Sequence, residues 1–318
     1  MIAYSTLQIA FLTSLLQEQY GMPHEKVSVM FLKRGFNDTY KVTAGKDKFI
    51  LRVYRFKRRS LQEIQSELDV LLFLHKNGIP ISIPLPDKYN RLIQKIETPE
   101  GARAAVLFSY VSGESLRKPS VLQCRQAGEA LGAIHKTLTA FDGGPLSWEY
   151  QPTKIFTYVR QAVNDTLHNF PDDLVYLDRL EELIDKRLSG VILKQGICHG
   201  DLQPENFLFL ENGPVSFIDF DFSGHGPLLY DLGAYTWYDH QGKTKEMLQS
   251  FFTGYSGIVP LTDEEKDLIP LFGSLRALFL MGMWTRFMDG ESNPVWPAEQ
   301  VSSFVKKLKK WTDRECRL

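Results

Sequence analysis

Apolar residues recur every three to four positions along some stretches of this chain and run together or alternate along others. The two periods separate a first hundred residues of mixed character from a mostly helical remainder. Leu7, Phe11, Leu12, Leu15 and Leu16 fall at helical spacing, which predicts an amphipathic helix near the start. Phe49-Ile50-Leu51-Arg52-Val53-Tyr54 follows the turn residues Gly45-Lys46-Asp47 and is rich in β-formers, so it predicts a strand. Ile64, Leu68, Leu71, Leu72 and His75 form a helical stripe between Glu63 and Lys76, closed by Asn77-Gly78 with Pro80 just beyond. Ala104 to Val111 reads as a buried strand ending at Ser112-Gly113. From Ser120 the period is helical: one segment over 122–138, two more within 155–188, a further run from Leu228, and a last one over 298–313.

One hairpin interrupts the helical half. Phe207–Leu210 and Val215–Ile218 are apolar runs on either side of Asn212-Gly213, a turn pair. Pro214 cannot donate the closing bond of a two-residue loop, so a symmetric four-residue loop is expected. Leu210 then pairs with Val215, Phe207 with Ile218, and Asn206 falls opposite Asp219. Directly opposed residues lie about 4.5–5.5 Å apart at Cα, close enough for both side chains to hold one cation. The residues just before the hairpin are His199-Gly200-Asp201-Leu202-Gln203-Pro204-Glu205-Asn206. An acid, an amide and a second acid in this order can deprotonate a hydroxyl beside a metal-bound phosphate chain.

The pattern H-G-D-x-x-x-x-N followed by I-D-F-D resembles the aminoglycoside phosphotransferase and choline kinase family, distant relatives of protein kinases. Type II homoserine kinases and bacterial stress-response kinases look similar. The resemblance implies an α+β, bilobal protein-kinase-like fold: a β-rich nucleotide-binding lobe over 1–108, a hinge linker over 109–114, and a larger helical lobe over 115–318 that carries catalysis and the acceptor. It implies Asp201 as the catalytic base and Asn206 and Asp219 as Mg²⁺ ligands. Asp231, in Leu229-Tyr230-Asp231-Leu232, matches an aspartate that braces the catalytic loop, and His199 reads as a backbone-bracing histidine.

The nucleotide side departs from protein kinases. Lys33-Arg34-Gly35-Phe36-Asn37-Asp38-Thr39-Tyr40 supplies one glycine where they have G-x-G-x-x-G, a reduction that fits the antibiotic kinases better; Gly35 and Asn37 are expected near the phosphates. The expected lysine is replaced by Arg52, which keeps the charge and offers a planar fork. Glu67 matches the helix glutamate that orients this cation. Ser109 and Val111 match the linker whose backbone binds adenine, and nothing separates ATP from GTP. Asp221 is left open between a second metal and a structural role. The 13 residues from Asp219 to Asp231 are too short for an activation loop, and glycine precedes Asp201 where protein kinases place arginine. A small hydroxylated acceptor follows as the expectation, with a bacterial Ser/Thr protein kinase or a non-catalytic nucleotide-binding protein as alternatives. For that acceptor, Trp284, Asp289 and Glu291 suit an amine or amino sugar through charge and cation–π contact, and Arg286 suits a carboxylate. A helix with an aromatic core stripe explains the same stretch.

Composition adds limits. The 318 residues carry 37 Lys and Arg against 38 Asp and Glu, a net charge of −1, which argues against a nucleic-acid or membrane-surface partner. The basic run Arg55-Phe56-Lys57-Arg58-Arg59 is local and reads as solvated surface, with a phosphate or partner contact as the alternative. Cys124, Cys198 and Cys316 form no CxxC pair, which suits a reduced, cytoplasmic protein, with Cys198 as buried filler. No signal peptide is evident, and no apolar run is expected to be long enough to cross a bilayer.

Overall fold

Strand and helix signals in the first hundred residues resolve into one sheet with two helices. The computed structural model describes residues 5–23, 25–237, 244–287 and 296–316. Helix α1 (Ile9–Tyr20) is followed by β1 (Val27–Arg34), β2 (Asn37–Ala44), β3 (Asp47–Tyr54), α2 (Leu61–Lys76), β4 (Ile93–Thr98) and β5 (Gly101–Ser109). The five strands are antiparallel in the order β1-β2-β3-β5-β4. Tyr40, Val42, Leu51, Val53, Ile96, Ala105 and Leu107 form a core with Leu12 and Leu16 of α1. Side chains alternate across a strand, so Arg52, set between Leu51 and Val53, faces the other side of the sheet. Helix α2 begins with a capping box, Ser60 Oγ accepting from the Glu63 N–H and the Glu63 carboxylate accepting from the Ser60 N–H at 2.6 Å.

The remainder is mainly helical: α3 (Val121–Leu138), β6 (Trp148–Glu149), α4 (Pro152–Val163), α5 (Pro171–Leu188), β7 (Gln195–Cys198), β8 (Phe207–Phe209), β9 (Val215–Phe217), β10 (Gly224–Pro227), α6 (Leu229–Trp237), α7 (Lys245–Ser256), α8 (Asp263–Phe287) and α9 (Ala298–Glu315). Helix α3 packs on α7, and α8 packs on α4, α6 and α9. β10 pairs antiparallel with β7 and parallel with β6, so β7 delivers the chain from a small sheet directly into 199–206. β8 and β9 pair as a two-stranded sheet with Asn212 at a φ of +54° in the turn, but they are shorter than the expected runs. Neither Asn206, in the turn before β8, nor Asp219, beyond β9, lies on a strand, so the expected cross-strand opposition of the two is not formed.

Two units emerge from the packing. One holds the chain through Gly113 together with Phe141–Pro145 and Ser216–Asp221; the other holds Glu114–Ala140, Leu146–Val215 and the chain from Phe222 onward. Helix α8 overturns one expectation. An 18-residue window within Asp263–Arg286 has a mean hydropathy of 1.4, long and apolar enough to cross a membrane, yet 83% of that window is buried inside the protein. A helix apolar all round is equally what a protein core requires.

Candidate active site

The loop after β7 is held from behind by its backbone. Asp231, fully buried in the first turn of α6, accepts the N–H groups of His199 at 2.6 Å and Gly200 at 2.8 Å. His135 Nε2 lies 3.0 Å from the same carboxylate, and its Nδ1 lies 2.9 Å from the Tyr255 hydroxyl. Burial alone would raise the Asp231 carboxyl. The His135 hydrogen bond, the charges of His135 and His199 and the Gly200 N–H outweigh it, and the group sits below its ordinary value. Gly200 takes a φ of +82°, and a Cβ there would collide with the Phe222 carbonyl and the Tyr150 hydroxyl. Only glycine fits. His199 Nδ1 accepts the Asp201 N–H at 3.2 Å, which makes it the brace that the sequence implied. Burial pushes the Cys198 thiol well up, so it stays an inert thiol.

Asp201 is buried in a set of donors. Its Oδ2 accepts Gln203 Nε2 at 2.9 Å and Asn206 Nδ2 at 3.0 Å, and its Oδ1 is ion-paired with Arg276 of α8. Asn206 Nδ2 also reaches the Asp201 carbonyl at 2.8 Å. With its amide nitrogen used in this way, Asn206 leaves Oδ1 buried and without a hydrogen-bond partner. A buried acceptor with no donor costs about 1–3 kcal/mol unless something supplies positive charge, and a hard dication does so. Sequence reasoning missed Arg276. Its signal was a lone arginine in the apolar run Leu268–Met283, since a charge in a buried helix demands a partner.

In the sheet-bearing unit, Arg52 bridges two acids: Nη1 donates to Glu67 at 2.8 Å and Nη2 to Asp219 at 2.9 Å. Burial works against its charge, but Asp219 and Glu67 raise its pKa well above the ordinary value. The pair Arg52 and Glu67 is therefore real, and Asp219 joins it. Asn37 is engaged at both ends, Nδ2 donating to Asp221 at 3.1 Å and Oδ1 accepting the Arg55 N–H at 3.3 Å. Gly35 lies in the β1–β2 turn with open space where a Cβ would stand. The Ser109 N–H donates to the Ile83 carbonyl at 2.8 Å, and its own carbonyl accepts Ser82 Oγ at 2.7 Å. Ser109 thus braces the linker, while Val111 follows it outside any strand.

Two arginines of the basic run are not solvated surface. Arg58 and Arg59 are each 4% exposed and pair with Asp221, which is itself 3% exposed. Its second-metal role falls away because both of its oxygens hold arginines. Burial would raise Asp221, but Arg58, Arg59 and Arg52 hold it below the usual carboxylate range. Both depressed carboxyls, Asp221 and Asp231, stabilise the fold fully above the value of an unfolded aspartate, about pH 4, and that contribution is lost as pH falls through their folded values. Urea midpoints should stay level from pH 7 to 5 and drop below pH 4, with a shallower drop in Asp221→Asn; an equal slope in the variant would contradict the assignment.

Among the described residues no group of three or more His, Cys, Asp or Glu side chains is placed to hold a metal. Mg²⁺ does not need one, since it commonly takes one or two carboxylates, phosphates and water. Trp284 packs in an aromatic cluster, its ring 4.7 Å from Trp296 and 5.9 Å from Phe304. Asp289 and Glu291 lie outside the described residues.

Residues 29–268 match the family model of a phosphotransferase enzyme family, APH. A homoserine kinase of Phenylobacterium zucineum is 25% identical over 267 residues, which cover 81% of this chain and 78% of that protein. A microcompartment-associated aminopropanol kinase structure superposes with a TM-score of 0.77 at 21% identity, covering 97% of this chain and 99% of that one. An amicoumacin kinase in complex with AMP-PNP, Ca²⁺ and Ami superposes with a TM-score of 0.75 at 19% identity, covering 96% of this chain and 94% of that one.

Proposed function

The chain belongs to the phosphotransferase enzyme family, and we propose that it moves the γ-phosphoryl group of ATP to the hydroxyl of a small amine-bearing alcohol. Asp201 carries this reading. It is a buried carboxylate fixed through side chain and backbone at the motif position of the base, with Asn206 turned so that its oxygen faces no donor. In this reading Asp201 accepts the acceptor's hydroxyl hydrogen and takes that proton as the oxygen–phosphorus bond forms and the bond to the ADP leaving group breaks. Asn206 Oδ1 and the Asp219 carboxylate are the ligands assigned to Mg²⁺, hard oxygens suited to such an ion. When bound, Mg²⁺ would offset charge on the phosphate oxygens. Arg52, oriented by Glu67, supplies the fixed cation for the phosphates, and Gly35 offers an unobstructed backbone to them. The purine contact is assigned to the Val111 backbone, because that of Ser109 is already engaged.

The amine-bearing class is supported by what the relatives are named for, homoserine and aminopropanol, each an amine and a hydroxyl on a short carbon chain. Trp284 offers an aromatic face for such an amine. Protein phosphorylation is not favoured: Phe222 leads within a few residues into β10 and α6, leaving no activation-loop insertion. The test is Mg²⁺-dependent ADP release with amino alcohols, hydroxy amino acids, aminoglycosides and a generic protein substrate. Turnover with amino alcohols or hydroxy amino acids is expected. Turnover with protein alone, or nucleotide binding without turnover on any acceptor, would overturn the assignment.

A further inference from the structure

We infer that Arg58 and Arg59 are positioning residues that, by clamping Asp221, fix the turn carrying Asp219 in the conformation that presents its carboxylate to a divalent cation; this rests on reading Asp219 as a metal ligand. The two acids of Ile218-Asp219-Phe220-Asp221 have separate tasks. Asp219 keeps a side chain 26% exposed and one ion pair, to Arg52. Asp221 is 3% exposed, with Arg58 on Oδ2, Arg59 on Oδ1 at 2.7 Å, and Asn37 donating to Oδ2 at 3.1 Å. One acid stands at the edge; the other is the anchor.

The backbone supplies the reason for an anchor. Asp219 has a φ of +68°, the left-handed region where a residue with a Cβ is strained by roughly 1–2 kcal/mol. Such a conformation persists where its surroundings determine it on both sides. On the N-terminal side Phe217 bridges to Ile81, and on the C-terminal side the arginines hold Asp221. Arg59 extends the tie, since Nη1 also pairs with Glu67 and Nη2 donates to the Glu63 carbonyl at 2.8 Å. The segment Ser216–Asp221 accordingly packs with residues more than a hundred positions earlier in the chain. The network balances three cations, Arg52, Arg58 and Arg59, against three anions, Glu67, Asp219 and Asp221, so no net charge is buried.

The experiment is Mn²⁺ binding to the full chain with saturating AMP-PNP, followed by the electron paramagnetic resonance of free Mn²⁺, alongside AMP-PNP affinity without metal and thermal unfolding. Arg58→Met and Asp221→Asn should weaken Mn²⁺ about tenfold or more while metal-free nucleotide affinity holds. Arg58→Lys and Arg59→Lys, which keep the charge and fold most readily, should show a smaller loss in the same direction. A fall in thermal stability with unchanged Mn²⁺ affinity across the series would make the clamp merely structural and overturn the inference. Asp219→Asn separates the two readings: if it leaves Mn²⁺ affinity unchanged, the ligand assignment itself fails, whatever the clamp variants do.

Discussion

Asp201→Asn should lower turnover by about 10²–10⁴-fold while nucleotide affinity stays near that of the native protein. The amide keeps the shape of the carboxylate and one oxygen acceptor but cannot take the proton. The same substitution also touches stability. Arg276 is fully buried and ion-paired with Asp201, and taking the charge from one member of a buried pair leaves the other uncompensated, a loss that reaches about 3–5 kcal/mol when the partner is removed outright. Asparagine softens this because its oxygen still accepts the guanidinium. Nucleotide binding and a thermal unfolding curve must therefore accompany the rate. A folded, nucleotide-binding Asp201→Asn protein with native turnover would remove Asp201 as the base. In Asp201→Asn with Arg276→Met, the two stability losses should be less than additive, because each single change strands the other's charge.

Asp231→Ala should cost about 3–5 kcal/mol of folding stability, the other large effect. One carboxylate accepts the His199 and Gly200 N–H groups and contacts His135, all in a buried setting. Alanine leaves two main-chain donors and an imidazole without that acceptor, each costly to bury unpaired. Asp231→Asn retains one acceptor oxygen and should lose less. The loss of activity in Asp231→Ala is expected to follow the loose loop, so turnover should fall even at temperatures where the protein remains folded. A variant as stable as the native chain, measured by urea unfolding, would show that the brace lies elsewhere.

Much of this arrangement was legible from local pattern. The helical stripes at 63–76, 122–138 and 298–313 and the strand at 49–54 emerge close to their expected limits, because amphipathic period and capping chemistry are local properties. Asn212-Gly213 gave the hairpin for the same reason, and the spacing of Asp201, Asn206, Asp219 and Asp231 pointed to the family before any fold was in view. Arg52 and Glu67, 15 positions apart, were paired by resemblance and meet at 2.8 Å.

What the sequence determined by itself was therefore the α+β class, the place of its most strongly patterned elements and, through the spacing of Asp201, Asn206, Asp219 and Asp231, the family. Tertiary structure alone decided how charges are used. Arg58 and Arg59 look like exposed basic residues because charge in a run carries no record of burial, yet distant Asp221 draws them inward. Arg276 lies 75 positions from Asp201, and only the packing of α8 brings the two together. Helix α8 meets the hydropathy of a membrane span, and only its burial among other helices shows it to be core. In each case the deciding interaction joins residues far apart in the chain, and its energy depends on desolvation that no local window contains.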